Sequence, residues 1–183
     1  MTTPVPTRIS AEEFLYLPEG EGHELVDGEL VEVGMGFDSS WIGGELFGRL
    51  REFVRTTRAG IVAPQETGIQ VWPDRPNLVR KPDAMFIRAD RMPGSRPQGW
   101  LRVVPDLVVE VISPNERAET IEQKLIEYRR AGVPLVWVLY PSSRTAHVFR
   151  ADRSYTELDS DGVLDGEDVL PGFRCPLAEL FDQ

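Results

Sequence analysis

Along the chain the period of the apolar positions changes several times, and each change marks an element. From about residue 40 to 58, Leu46, Leu50, Phe53 and Val54 recur at helical spacing while Arg51, Arg55 and Arg58 gather on the opposite side. This predicts an amphipathic helix with a basic outer face. SAEE at 10–13 has the form of a capping box, with Ile9 and Phe14 placed as its hydrophobic staple, so a short helix is expected from Ala11 to near Pro18. ELVDGELVEV sets apolar runs on both sides of Asp27-Gly28, the dipeptide of a tight hairpin turn, and Glu24 opens its first strand. GIQVW and AMFI read as strands separated by the loop PDRPN, and a second turn-rich loop, MPGSRPQG, leads to DLVVEVIS at 106–113. That last run is rich in β-branched residues, as a strand covered on both faces should be. A helix from about Glu116 to Ala131 follows, capped by Gly132 with Pro134 beyond it. LVWVLY and TAHVFR are the next strands, and the acidic DSDGVLDGED is assigned to turns. Strands interleaved with a few helices predict an α/β fold, a mixed β-sheet flanked by helices, in a single domain over residues 1–183.

Composition narrows the function classes. With 183 residues, 41% of them hydrophobic, the chain can bury one well-packed core. The lone Cys175 excludes an internal disulfide framework and a Cys-rich zinc site. The start MTTPVPTRISAEEF has neither the basic opening nor the apolar stretch of a secretory leader, and no apolar run approaches the roughly 20 residues that span a bilayer. A cytoplasmic protein with no membrane partner is expected. A net charge of −10 argues against broad non-specific binding to nucleic acid, so any such contact must be local, and Arg51, Arg55 and Arg58 are the candidates for it.

The chemistry enters at Glu110. In a strand Val108, Glu110 and Ile112 share one face, so Glu110 places a carboxylate on an apolar surface, where it needs a partner. Asp83, 27 residues earlier at the head of AMFI, is the nearest acidic candidate at a strand start. In the following helix Lys124 lies inside the buried stripe of Ile121, Leu125 and Tyr128. Two adjacent carboxylates raise each other's pKa unless a cation joins them, so a divalent metal together with the lysine is the natural complement. Mg²⁺ takes one or two protein carboxylates, keeps several waters and binds phosphate oxygens, which points to metal-assisted phosphodiester hydrolysis. Plain structural readings stay open beside this one. Asp83 as a strand-edge residue after Pro82, Glu110 as a carboxylate paired to arginine, Lys124 snorkelling from the edge of its stripe, and Glu24 and the arginine face as ordinary surface are the alternatives.

Pro82-Asp83, then EVISP at 110–114, Lys124 with Tyr128, AGVPLVWVLYP and VLPGFRCPLAELF together resemble the Uma-two restriction endonuclease family, within the PD-(D/E)XK superfamily. The resemblance implies a restriction-endonuclease-like core and an endonuclease that uses Mg²⁺ or Mn²⁺, with DNA as the expected substrate. It also implies that Asp83 and Glu110 bind the metal, with the Val111 carbonyl as a third ligand. The superfamily lysine two residues after the glutamate is replaced by Ile112, and Lys124 would supply it from the helix. Glu24 matches an early acidic position and would complete the metal shell or orient Lys124. The alternative of another class is a catalytically inactive nuclease-fold module for binding or assembly; the oligomeric state is open, with a homodimer among the options. Other signals carry less. VGMGFDSS has two glycines of a dinucleotide loop but no βαβ unit around them, the glycine of DSDGVLDGED is misplaced for a calcium loop, and Ser113 with His147 lacks a nucleophile elbow.

Overall fold

The computed structural model describes residues 8–34, 36–92, 94 and 97–182, so the N-terminal stretch and part of the MPGSRPQG loop lie outside the described residues. Helix α1 (Ala11–Tyr16) begins where expected: the Ser10 side chain accepts from Glu13 N–H while the Glu13 side chain accepts from Ser10 N–H. Strands β1 (His23–Val26) and β2 (Glu29–Glu32) form an antiparallel hairpin. Its turn residues Asp27 and Gly28 both have positive φ, 51° and 90°, as a tight hairpin turn requires.

Helix α2 (Phe37–Thr57) leads to a six-stranded sheet of β3 (Gly60–Pro64), β4 (Ala84–Arg88), β5 (Leu107–Val111), β6 (Leu135–Tyr140), β7 (Thr145–Arg150) and β8 (Tyr155–Leu158), in that spatial order. The β5–β6 pair is parallel and its neighbours antiparallel, because α3 (Ala118–Ala131) carries the chain back across the sheet between them. Alternation along β5 divides the core. Val109 and Val111 join Leu46, Leu50 and Val54 of α2 on one face, while Val108 joins Ile121 and Tyr128 of α3 on the other. The α2 face is closed further by β9 (Val163–Asp165), β10 (Arg174–Pro176) and α4 (Ala178–Phe181), through Leu164, Cys175 and Leu180.

Four expectations change. GIQVW is not a strand: Ile69 makes only isolated bridges, to Arg80 and Leu101, because Pro73 and Pro76 cut short any ladder. DSDGVLDGED is not turns throughout, since Val163–Asp165 pairs with Arg174–Pro176. Helix α2 starts at Phe37, earlier than the apolar periodicity showed, and α3 starts at Ala118, a turn after Ser113-Pro114. The edge strands β3 and β8 were not expected, as neither has a clean alternating pattern. No helix among the described residues is long and apolar enough to cross a membrane.

Candidate active site

The register of β4 against β5 pairs Ala84 with Val109 and Met85 with Val108; carried one residue further, it sets Asp83 opposite Glu110. Here β4 stops and Asp83 continues its ladder with a side chain, since Val111 N–H donates to Asp83 Oδ2 at 2.7 Å. Asp83 thus turns into the plane of the sheet and lies beneath α2, where a Cβ built on Gly43 would sit 3.6 Å from that of Asp83. In an extended strand a residue's N–H and C=O face the same neighbour, so the Val111 carbonyl is directed to the same edge as Asp83. Ile112 N–H, next along, turns to Leu139 of β6.

Glu110 enters from the α3 face and is 4% exposed. Its partners are two residues one helical turn apart on α3: Lys124 Nζ donates at 2.9 Å and Tyr128 Oη at 2.5 Å. Lys124, 3% exposed, also lies 3.5 Å from Glu24 and 3.7 Å from Glu116. Glu24 is held in turn by Arg80 at 2.8 Å and by Lys81 N–H at 2.8 Å. Arg80 continues to Glu127 at 2.7 Å, Glu127 to Arg75 at 2.5 Å, and Arg75 to Asp27 at 2.8 Å. Lys124 and Glu24 face a cleft of about 650 Å³ with Glu116, Asn115, Arg117 and Gly34 on its walls. Asp83 faces a smaller pocket of about 160 Å³ with Ser40, Gly43, Gly44, Pro64 and Gln65.

These charges set the proton affinities. Burial and the negative charge of Glu110 push the Asp83 carboxyl up to about 7, against the pull of Val111 N–H and Lys124. Burial likewise raises Glu110, although Lys124 and Tyr128 oppose it. Burial would also raise Glu24, but Lys124 and Arg80 more than offset it and hold that carboxyl below its usual range. Lys124 is held firmly protonated: burial works against its charge, but Glu110, Glu24 and Glu116 outweigh it.

Glu110, Lys124 and Glu24 therefore form one bonded cluster, while Asp83 stands opposite Glu110 in register and faces a separate pocket beneath α2. Arg51, Arg55 and Arg58 are exposed and stand apart on α2, with Arg55 bonded to Glu52 at 2.9 Å. Tyr128, Glu116 and Arg80 were not anticipated as part of the site. The spacing of Tyr128 from Lys124 was the available signal for the first; Arg80 gave none, since nothing in RKPD separates a buried arginine from an exposed one. Both Glu24 oxygens are engaged, one by Arg80 and the other by Lys81 N–H, and both Glu110 oxygens likewise, by Tyr128 and Lys124, so a metal at Glu110 would share an oxygen with one of these donors. Among the described residues no group of three or more His, Cys, Asp or Glu side chains is arranged to hold a metal ion.

The family model described as "Uma2: Putative restriction endonuclease" matches residues 11–178. The chain belongs to the Uma2 family. Membership supports nuclease function. Among solved structures the Uma2 chain is similar to one described as a putative nuclease belonging to DUF820 from Anabaena variabilis. The TM-score is 0.78 at 20% identity, over 95% of this chain and 98% of that one. At that identity the likeness speaks for the fold, a six-stranded mixed sheet flanked by helices that matches a nuclease-fold neighbour. No curated protein matches the chain.

Proposed function

We propose that this Uma2 protein is a metal-dependent endonuclease acting on DNA, with Asp83 and Glu110 holding Mg²⁺ or Mn²⁺. The observation that carries the proposal is a break in charge alternation. From Asp27 through Arg75, Glu127, Arg80, Glu24 and Lys124 to Glu110, each charge is followed by its opposite. The next group, Asp83, is a second carboxylate facing Glu110 with no cation of the chain bonded to it among the described residues. What supports a divalent ion there is that strand register sets Asp83 opposite Glu110 and that the Val111 carbonyl is directed to the Asp83 edge, Mg²⁺ being typically held by one or two carboxylates plus waters and phosphate oxygens. When bound, the ion would supply Lewis-acid polarisation of the phosphate.

The reaction is a hydrolysis in which a water oxygen bonds to phosphorus as the bond to a sugar oxygen breaks. Lys124 cannot be its base, because three carboxylates keep it protonated. It serves as a fixed positive charge beside the reacting phosphate and helps to position the attacking water. Glu24 and Glu116 fix the lysine from the side of the cleft. Tyr128 donates to Glu110, leaving that carboxylate's other oxygen to Lys124. Ile112 packs into the α3-side core, so the position two residues after Glu110 is apolar filling.

The test is cleavage of single-stranded, double-stranded and branched DNA, with RNA for comparison, in Mg²⁺, Mn²⁺ or chelator. Cleavage of DNA that chelator abolishes is expected. Absence of cleavage on every substrate in both metals would overturn the proposal and leave a nuclease-fold binding or assembly module.

A further inference from the structure

Helix α2 carries one exposed stripe from end to end. Phe37, Trp41, Gly44, Gly48, Arg51, Arg55 and Arg58 succeed one another at spacings of four and three, and all of them are exposed. Phe37 is 82% and Trp41 47% exposed, and their rings stack at 6.3 Å between centroids with 15° between planes. Two large aromatic rings held parallel in solvent leave apolar flat faces uncovered, an unfavourable arrangement for the isolated chain. Three residues on from Phe37 and Trp41 along the same helix, Ser40 and Gly44 line the pocket that Asp83 faces. Beyond it the stripe is bare, since a Cβ at Gly44 or Gly48 would meet nothing within 4 Å. It then becomes basic, with Arg58 in the left-handed C-cap.

We infer that this stripe is a single-stranded nucleic-acid track, on which Phe37 and Trp41 stack a nucleobase next to the phosphate at Asp83 while Arg51, Arg55 and Arg58 meet phosphates further along. The inference rests on the nuclease proposal for the position of the scissile phosphate and adds the form of the substrate. A ligand that is flat and apolar at one end and polyanionic along its length matches the order of side chains, and every unpaired base presents a face for stacking. A paired base in a duplex already has its faces covered. The Arg55–Glu52 pair is fully at the surface, where such pairs are weak, so a phosphate can displace it. A second copy of the chain suits the stripe less well. A stable dimer needs roughly 800 Å² from each partner, and here two rings are bordered by Asp38, Ser40, Glu45 and bare glycines.

The experiment compares labelled single-stranded and duplex DNA of one sequence, and a single strand with abasic sites. Binding is measured in Ca²⁺ and cleavage in Mg²⁺, for the wild type, a Phe37→Ala/Trp41→Ala double variant and Trp41→Phe. Both rings being exposed, the variants should melt like the wild type. The wild type should prefer the single strand to the duplex, and the double variant should lose about tenfold or more in single-strand affinity. Its salt dependence should stay the same, because the counterion-releasing arginines remain. Trp41→Phe should keep most of the affinity, and the abasic strand should bind the wild type no better than the intact strand binds the double variant. Equal binding of intact single strands by wild type and double variant overturns the inference. So does a double variant that only turns a dimer into a monomer, which would assign the rings to a second copy. Cleavage unaffected by loss of the rings would sink the track and leave the nuclease proposal standing. Ring-dependent single-strand binding without cleavage in any metal would do the reverse.

Discussion

Two ends of one buried chain of charges differ in how they are closed. At the hairpin end Glu127 lies between Arg80 and Arg75, and Arg75 passes on to Asp27 at the surface, so each carboxylate has a guanidinium. At the sheet end Lys124 serves Glu110, Glu24 and Glu116 together, and among the described residues Asp83 is bonded by a backbone N–H and by no side-chain cation. Burying charge costs free energy at both ends, and breaking a buried pair leaves an uncompensated ion. Among the described residues the sheet end retains excess negative charge after its internal pairing, and there the network meets a cleft. The hairpin end is thus read as support for the fold and for Lys124, and the sheet end as a place where an external cation and a phosphate complete the balance.

The largest effect should come from breaking the closed end at its centre. Arg80→Met keeps a long apolar stem but leaves Glu24 and Glu127 short of a buried cation. A loss of about 3–5 kcal/mol in urea unfolding is expected. A loss below about 1 kcal/mol would show that Lys124 and Arg75 suffice without it.

The open end is tested through turnover. Lys124→Met removes the charge while Tyr128 still donates to Glu110, which can take a proton in compensation. The variant should fold and bind DNA, with kcat lowered roughly a hundredfold or more. Equal rates with the fold intact would remove Lys124 from the chemistry. Glu110→Gln should lower metal affinity as well as kcat, read by metal titration against the same substrate.

Much of this comparison was legible in the sequence, and the limit has a physical cause. Glu110 and Lys124 stood out because each interrupts an apolar period of its own element, and Asp83 because it heads the strand before β5. Arg80 and Glu127 were not seen as partners, since their contact crosses 47 positions of chain and depends on how the hairpin docks against α3. The strands with clear alternation or an apolar run were found, while β3, β8 and the β9–β10 pair owe their ladders to neighbours. Phe37 escaped because α2 was read from its buried stripe, and the helix begins before that stripe does.

A further prediction concerns pH. The Asp83 carboxyl, about 7 in the folded protein, lies above its unfolded value, so the folded state binds the proton more tightly. Without metal, its contribution is full below about pH 4 and is lost as pH rises toward 7. Asp83→Asn should flatten that part of the stability curve and leave the metal-free protein more stable at pH 8, by on the order of 2 kcal/mol. Mg²⁺ should stabilise the wild type at pH 8 and leave the variant nearly unchanged. A wild-type stability that rises from pH 4 to 7 in step with the variant's would mean that Asp83 and Glu110 are not held in conflict.

The smallest effect is expected where the chain of charges reaches solvent. Asp27 bonds Arg75 through both oxygens, at 2.8 Å each, but its side chain is 52% exposed. The Arg75 bond, against the effect of burial, lowers its carboxyl, so its contribution is present above the unfolded pKa and fades as pH falls through the folded one. Screening by water keeps such a surface pair to between about 0 and 1 kcal/mol. Asp27→Asn is a clean probe because asparagine accepts the left-handed backbone at φ 51° and suits the hairpin turn before Gly28. Arg75 would keep its bond to Glu127, so unfolding at pH 7 should shift by roughly 0.5 kcal/mol or less, with kcat unchanged. A double-mutant cycle with Lys124→Met should give additive effects, since five ion pairs in series lie between Asp27 and Lys124. A coupling above about 0.5 kcal/mol would show instead that the hairpin turn and the cleft titrate as one unit, and the division between a closed structural end and an open reactive end would not hold.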